Sequence, residues 1–228
     1  MTIMLDSTLH TQAPLQYKQQ ITRLAAIGDS PEVLAEAYQE HINLAIWQRD
    51  LAAEVADAVA QLLVRKPTFK SALTLTPQNA EGVLVDTLGD EARTLAADVA
   101  EVIDMFCCLF ELQSAGFRMA AMHSAMCPRF HVDRVPCRLV STYSGVATEW
   151  LSHSDVNRAL LGRGGDGLTD LQAGLYASTA DVQQVTCGDV ALLKGELWIG
   201  NEGAGLVHRS PEVPHGQSRL VLTLDVGN

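Results

Sequence analysis

The hydrophobic pattern of the chain changes near residue 127. Before that point, apolar residues recur every three or four positions in 51–64 and in 90–126, which is the spacing of amphipathic helices. The second stretch predicts the longest helix, which Gly116 breaks or kinks and Pro128 ends. Short apolar runs predict strands at 42–47 and 71–75. The first half is therefore predicted to be mainly helical.

After Pro128 the pattern becomes typical of strands, with β-branched and alternating residues. These strands are predicted at 138–143, 181–186, 190–193 and 219–225. In the last of them, three leucines alternate with Val221, Thr223 and Asp225, so one face should be buried. We find neither a linker nor an internal repeat. The sequence therefore predicts one α+β domain over 1–228, with 1–126 as a helical buttress and 127–228 as a β core.

A glycine-rich stretch, Leu161-Gly162-Arg163-Gly164-Gly165-Asp166-Gly167, lies between the predicted strands. It does not follow a strand and open a helix, so the spacing is not that of a phosphate-binding loop. We interpret it as a mobile lid over a substrate.

Composition limits the classes of partner. Twenty-seven acidic against sixteen basic residues give a formal charge of −11, which disfavours nucleic acid and anionic membranes. The expected partner is a small-molecule or unknown substrate, and the oligomeric state stays open. The amino terminus lacks the basic start and apolar run of a secretory signal, so we expect a cytoplasmic protein. Five cysteines, two of them adjacent, argue against a disulfide framework.

Candidate chemistry begins with His131 and Asp133, which are one residue apart. In a strand, positions i and i+2 face the same side, so both could bind one ion. His208 follows an apolar pair and is the expected third ligand. Two histidines and one carboxylate form the facial triad of non-haem iron sites, which leaves positions open for substrate and oxygen. His215, in a predicted turn, is the rival for the third position.

Two other sites are weaker. Cys127, His131 and Cys137, with His123, offer zinc two thiolates and an imidazole, although the spacing is not that of a zinc knuckle. A hydrolase triad could use Ser210, but no nucleophile elbow surrounds that serine.

Two sequence patterns carry a resemblance to known families. The His-x-Asp pair, the Gly188-Asp189 turn before a late strand, His208 and an arginine eleven positions later, Arg219, resemble the iron(II)/2-oxoglutarate-dependent oxygenase superfamily. The segments Cys127-Pro128-Arg129-Phe130-His131-Val132-Asp133, Thr148-Glu149-Trp150-Leu151 and His208-Arg209-Ser210-Pro211 resemble a bacterial family of proteins of unknown function, domain of unknown function family 1826. The resemblance implies a double-stranded β-helix, or cupin-like jelly roll, in the carboxy-terminal half.

The resemblance also implies roles for individual residues. His131, Asp133 and His208 would bind iron(II), and no catalytic residue is expected beyond these ligands. Arg219 would pair with the far carboxylate of 2-oxoglutarate, because a planar guanidinium matches a carboxylate. A hydroxyl for the same carboxylate would come from one of Thr142, Tyr143 and Thr223.

The function implied is oxidation of an unknown substrate by an iron(II)/2-oxoglutarate-dependent dioxygenase. The predicted substrate pocket includes Arg129, Arg138 and Trp150. The alternative is a non-enzymatic cupin-like protein that binds zinc or iron, since the same ligands suit both metals. A scaffold that has lost its metal and acts through protein contacts is the third alternative.

Overall fold

The computed structural model describes residues 22–162 and 167–226, and within them the backbone forms two β-sheets. Seven strands make the larger sheet, in the order β1-β2-β8-β5-β10-β4-β3, and three make the smaller one, in the order β7-β6-β9. The strands are β1 Leu24–Gly28, β2 Ile42–Trp47, β3 Lys70–Leu75, β4 Ala115–Met122, β5 Cys137–Ser144, β6 Glu149–Leu151, β7 Val182–Gln184, β8 Val190–Lys194, β9 Val207–Arg209 and β10 Arg219–Val226. Only the β1–β2 pair is parallel among these strands.

Helices cover one face of the larger sheet. In the described residues these are α1 Ala53–Arg65, α2 Ala80–Leu88 and α3 Arg93–Leu109, with a 3-10 helix at Pro31–Tyr38. Their apolar stripes pack with Leu220, Leu222 and Leu224 of β10 in one core cluster. Each fully buried leucine contributes about 1.5–3 kcal/mol of hydrophobic stabilisation. The alternation in β10 thus directs its leucines into the main core.

The other face of the larger sheet meets the smaller sheet. Val140 of β5 and Val221 of β10 belong to a second apolar cluster with Trp150 of β6. Because side chains alternate along a strand, the residues between the core leucines of β10 point to this second side. The space between the two sheets is therefore where polar residues of β10 can meet loop residues.

The predicted long helix is wrong after residue 109. Helix α3 ends at Leu109, and Ala115–Met122 forms β4, whose residues alternate between more and less buried positions. β4 pairs with β3 on one side and with β10 on the other. Alanine and methionine favour helices locally, but pairing with two neighbouring strands satisfies the backbone groups of β4 and overrides that preference.

The predicted division at residue 126 is not a boundary in the sheet. Strands β1 to β4 of the first half belong to the same sheet as β5, β8 and β10 of the second. The first half therefore contributes strands as well as helices to the core. Four residues of the predicted lid, 163–166, lie outside the described residues. No helix in the described part of the chain is both long and apolar enough to cross a membrane.

Candidate metal and anion site

Two histidines from distant parts of the chain are held opposite each other by the backbone. His131 and His208 form an isolated antiparallel bridge, in which each backbone N–H donates to the other's carbonyl oxygen at 3.0 Å. Directly opposed residues in such a pair project to the same face. The two imidazole rings accordingly lie 4.6 Å apart between centroids.

Backbone carbonyls orient both rings. The Nδ1 atom of His131 lies 2.9 Å from the carbonyl oxygen of Arg129, and Nδ1 of His208 lies 3.1 Å from that of Leu206. A carbonyl oxygen only accepts, so each neutral ring carries its proton on Nδ1 and keeps a free lone pair on Nε2. This is the arrangement that metal-binding histidines commonly have.

Asp133 completes the cluster. Its carboxylate oxygens lie 3.6 Å from Nε2 of His131 and 3.5 Å from Nε2 of His208. The three ligand atoms fall within 4.8 Å of one another. Atoms bound to one ion at about 2.1 Å are roughly 3 to 3.4 Å apart, so Asp133 is already near that spacing from both histidines. The structure thus brings the three predicted ligands together.

Charges around Asp133 favour its ionised form. Burial acts to raise the pKa of Asp133, but its interactions with His131 and His208 and the charge of Arg138 outweigh burial and hold the pKa well below its usual range. Once protonated, His131 can donate from Nε2 to Asp133, and this interaction, opposed by burial, raises the pKa of His131. A metal ion would therefore find the Asp133 carboxylate already ionised, and it would compete with a proton at His131.

A chain of ion pairs fixes the orientation of Asp133. Nη1 of Arg138 donates to Oδ2 of Asp133 at 2.7 Å, and the rest of that guanidinium holds both oxygens of Asp225, at 2.7 and 3.0 Å. Asp225 also pairs with Arg118 at 2.5 Å. Because Arg138 is only partly exposed and bonded on both sides, it restricts rotation of the Asp133 carboxylate.

Close backbone approach fixes the segment that carries Asp133. The carbonyl oxygen of Asp133 accepts from Glu196 N–H at 2.9 Å, in the turn after β8. A Cβ atom on the neighbouring Gly195 would overlap the carbonyl oxygen of Val135 and lie 2.7 Å from that of Asp133. Only glycine allows these two backbones to lie so close.

A buried carboxylate performs the same task on the other side of the site. Asp170, 8% exposed, accepts from the Phe130 N–H at 2.8 Å and pairs with Arg129 at 2.9 Å. Arg129 supplies the carbonyl that orients His131. Asp170 thus anchors the backbone immediately before the first ligand.

The cluster opens into a cavity of about 320 Å³. His131 and His208 line it together with Arg219, which is the first residue of β10 and 1% exposed.

Within the described residues, Arg219 has no carboxylate partner at salt-bridge distance. Its Nε has no hydrogen-bond partner, and its Nη2 makes a single long bond of 3.4 Å to the Thr142 hydroxyl. Burial lowers the pKa of Arg219 to about 10, against the charge of Glu149, and the guanidinium stays protonated at neutral pH. Burying a cation that has no carboxylate partner among the described residues costs free energy that a bound anion would offset, so Arg219 is a candidate anion site.

Glycine also sets the position of this arginine. Gly145, at the end of β5, has a φ of 82°, and a Cβ there would lie 2.7 Å from the Ser218 carbonyl oxygen and 2.9 Å from Cβ of Arg219. A side chain at position 145 would push the start of β10 away.

The three hydroxyl candidates for the anion fall on different sides of the sheet. Thr142 contacts Arg219, and Thr223 lines the cavity. Tyr143 lies on the helical side of β5, where its hydroxyl donates to Asp98 at 2.5 Å. The prediction for Tyr143 is therefore wrong, because adjacent strand residues point to opposite faces.

The three predicted pocket residues also differ in placement. Arg138 lines the cavity, but both of its sides are engaged by carboxylates. Arg129 instead pairs with Asp170 outside the cavity lining. Trp150 lies opposite His208 in the β6–β9 pair and is packed in the cluster between the sheets, where its Nε1 has no partner among the described residues.

The rival ligands do not join the cluster. His215 is exposed, and the metal-type grouping found in the described residues contains His208 instead. Cys137 is fully buried in the helical core, and burial raises the pKa of its thiol to about 12. Cys127 borders the cavity alone. A zinc–thiolate centre at these residues is thus not supported.

Sequence reasoning missed Asp170, Gly195 and the role of Asp225. Asp225 had a signal, since it continues the alternating face of Arg219, Val221 and Thr223. Asp170 and Gly195 had none, because their contacts depend on loops from elsewhere in the chain.

Solved structures similar to this chain include several oxygenases. The dioxygenase for auxin oxidation 1 from Arabidopsis thaliana, a 2-oxoglutarate complex, is 12% identical, with 90% of this chain and 92% of that chain covered and a TM-score of 0.48. A prolyl-4-hydroxylase of Pseudomonas putida is 13% identical over 86% and 96%, with a TM-score of 0.41. An oxidoreductase of the 2OG-Fe(II) oxygenase family from Burkholderia pseudomallei is 11% identical over 89% and 93%, with a TM-score of 0.41.

Identities and TM-scores in this range do not establish an activity for this chain. No curated protein matches it. The pattern of one family, described as protein of unknown function (DUF1826), matches residues 28–225, which is most of the sequence. The chain therefore belongs to the DUF1826 family.

Proposed function

We propose that this protein is a non-haem iron(II)/2-oxoglutarate-dependent oxygenase that hydroxylates or otherwise oxidises a small-molecule substrate. The observation that carries the proposal is one cavity lined both by His131 and His208 of the metal-type cluster and by a buried arginine that has no carboxylate partner among the described residues. A metal-binding protein has no need for that arginine, whose burial costs stability. A dicarboxylate cosubstrate would compensate its charge.

In this proposal the two sheets form a double-stranded β-helix, and the ligands fit iron(II) by their chemistry. Two imidazoles with free Nε2 atoms and one carboxylate leave part of the coordination sphere to other molecules. Bound iron(II) and 2-oxoglutarate would supply the oxidation, in which 2-oxoglutarate, O₂ and R–H give succinate, CO₂ and R–OH.

The residues of the chain have separate tasks. His131, Asp133 and His208 hold the metal, and Arg138 keeps the Asp133 carboxylate turned toward it. Arg219 and Thr142 hold the far carboxylate of the cosubstrate between the sheets, where few water molecules compete.

The test is an anaerobic titration with iron(II) and then 2-oxoglutarate, followed by absorbance. We expect a weak visible charge-transfer band that needs both additions. His131→Ala should abolish the band, whereas His215→Ala, which removes an exposed histidine outside the cluster, should keep it. A wild-type protein that binds iron but gives no band and releases no succinate would contradict the proposal.

The second candidate is a non-enzymatic protein that binds zinc or iron at the same ligands. It is favoured by the donor set itself, because imidazole and carboxylate bind zinc as well. This candidate predicts tight metal binding with no 2-oxoglutarate turnover, and the same titration separates the two.

A further inference from the structure

The cavity carries a cation near each end. In the pairing of β10 with β4, Arg219 lies opposite Met122, and Thr223 lies opposite Arg118. Along the strands, the position of Arg219 and the position of Arg118 are therefore four residues apart, which corresponds to about 14 Å. Both arginines line the same cavity as the histidines. Arg219 is at the inner end and 1% exposed, whereas the side chain of Arg118 is 61% exposed at the mouth.

Arg118 is free to change partners. Its carboxylate partner is Asp225, whose two oxygens already accept from Arg138. If Arg118 turns to another anion, Asp225 keeps a bidentate partner and no carboxylate is left unpaired. Because the Arg118 side chain is 61% exposed and Asp225 keeps Arg138 as its partner, exchanging this ion pair for another costs little stability.

The other charges near the cavity compensate one another. Arg209 pairs with Glu149 at 2.6 Å and lies 4.3 Å from the ring centre of Phe130, which fixes it in place. Arg138 is divided between two carboxylates. With a divalent metal on Asp133 and a dicarboxylate on Arg219, the positive charges of the metal and Arg219 balance the negative charges of Asp133 and the dicarboxylate. The positive charge that remains is the one on Arg118.

Between the two cations the wall is mainly apolar. Ala120, Val140 and Val221 cover the sheet side of the cavity, and Met122 and Met126 border it. Met126 is 65% exposed, although methionine side chains are usually buried. Apolar side chains at an opening are typical of binding sites for molecules with an apolar part.

We propose that the primary substrate is an organic anion with an apolar body, whose acid group pairs with Arg118 at the cavity mouth while its apolar part lies along the methionine-lined wall. This inference rests on the proposed function, because it assigns the inner cation to the cosubstrate. It adds a second anion site to the same cavity and gives that site a chemical class.

The test compares two probes of equal shape, 3-phenylpropanoate and 3-phenylpropanamide. Protein loaded with zinc(II), which is diamagnetic and does not support turnover, is saturated with 2-oxoglutarate, and probe binding is followed by saturation-transfer NMR. The carboxylate should bind at least about fivefold more tightly than the amide, because it makes a charge-assisted hydrogen bond between two charged groups, whereas the amide offers only a neutral acceptor.

Variants identify the cation responsible. Arg118→Gln should remove the preference for the carboxylate, and Arg118→Lys should retain part of it. Arg93→Gln is the matched control, because Arg93 is 62% exposed and also pairs with a single carboxylate, Asp90, at 2.7 Å. That control should keep the wild-type preference, and melting temperatures check that each variant is folded.

Three results would overturn the inference. These are equal binding of the two probes, a preference that Arg118→Gln leaves unchanged, and displacement of 3-phenylpropanoate by 2-oxoglutarate, which would place the probe at Arg219. If the charge-transfer band forms and the probes are not distinguished, the substrate class is wrong and the oxygenase proposal stands. If the band does not form, the oxygenase proposal fails and this inference fails with it.

Discussion

Replacement of Arg219 by methionine should make the metal-free protein more stable. Burial lowers the pKa of Arg219 from 12.5 to about 10. For a cation, a lower pKa in the folded state means that the charged form is disfavoured by folding, and this cost is fully present at neutral pH. At about 1.4 kcal/mol for each tenfold change in proton affinity, the cost is about 3 kcal/mol.

The long bond to Thr142 reduces the expected gain only slightly. Methionine matches much of the arginine stem, so the loss of packing is small, and buried charges replaced by apolar residues often give about 1–4 kcal/mol of stability. We expect Arg219→Met to raise the free energy of unfolding by about 2 kcal/mol, or the melting temperature by about 4–8 °C. The measurement is urea unfolding at pH 7 with a metal chelator present.

The same variant should lose its response to 2-oxoglutarate. In the zinc-loaded wild type, a cosubstrate at about 100 times its dissociation constant stabilises the fold by about 2.7 kcal/mol. Arg219→Met should show no such increase. Arg93→Met, at an exposed ion pair, should change stability by less than about 0.5 kcal/mol and keep the response. A variant that is less stable than the wild type, or that 2-oxoglutarate still stabilises, would refute the interpretation of Arg219 as an uncompensated cation.

Three further predictions concern two supports of the site, Gly195 and Asp170, and a buried lysine outside the cavity, Lys194, whose Nζ donates to the Gln39 carbonyl oxygen at 2.9 Å. Gly195→Ala should weaken zinc affinity, measured by calorimetry, and destabilise the fold by about 2–4 kcal/mol, because the added Cβ would meet the Val135 carbonyl oxygen. The control is Gly82→Ala in α2, where a Cβ meets open space, and it should be neutral or stabilising. Burial lowers the pKa of Lys194 to about 8 from 10.5, so Lys194→Met should stabilise the protein by about 1–3 kcal/mol at pH 7 in urea unfolding. The stability advantage of Lys194→Met should shrink between pH 8 and 10.5, because over this range Lys194 loses its proton in the folded wild type but keeps it in the unfolded chain. A stability difference that stays constant over this range would contradict the view that Lys194 is destabilised by burial of its charge. Asp170→Ala should cost about 2–3 kcal/mol and lower zinc affinity, and Asp170→Asn, which keeps an acceptor for the backbone N–H, should cost clearly less; equal losses would show that the charge, rather than the acceptor, matters.

The strand and helix patterns were predictable where local and tertiary preferences agree. In β10, the alternation of leucines with Val221 and Thr223 marks a strand with two different faces, and both faces are used as expected. Helix α1 has the predicted apolar spacing. In β4 the preferences disagree, since small apolar residues there suit a helix locally while two neighbouring strands require an extended chain.

The three candidate metal ligands could be named from the sequence because their spacing carries the information. The i, i+2 spacing of His131 and Asp133 predicted that they face one side, and they do meet, although His131 lies in an isolated bridge and Asp133 lies outside the strands. His208 follows an apolar pair that enters the interior. The choice between His208 and His215 needed the structure, because it depends on the bridge that places His208 opposite His131.

By itself, the sequence determined which residue types could bind a metal, which strand carried the buried leucines, and that Arg219 lies eleven positions after His208. Tertiary structure alone decided that Arg219 is buried without a carboxylate partner among the described residues and that Tyr143 faces the helices. It also decided that Arg138, Asp170 and Gly195 hold the candidate ligands in place. The physical reason is that periodicity and spacing are local properties of the chain, whereas the charge balance of a buried group depends on which distant segments surround it. The chemistry of the site follows from that balance.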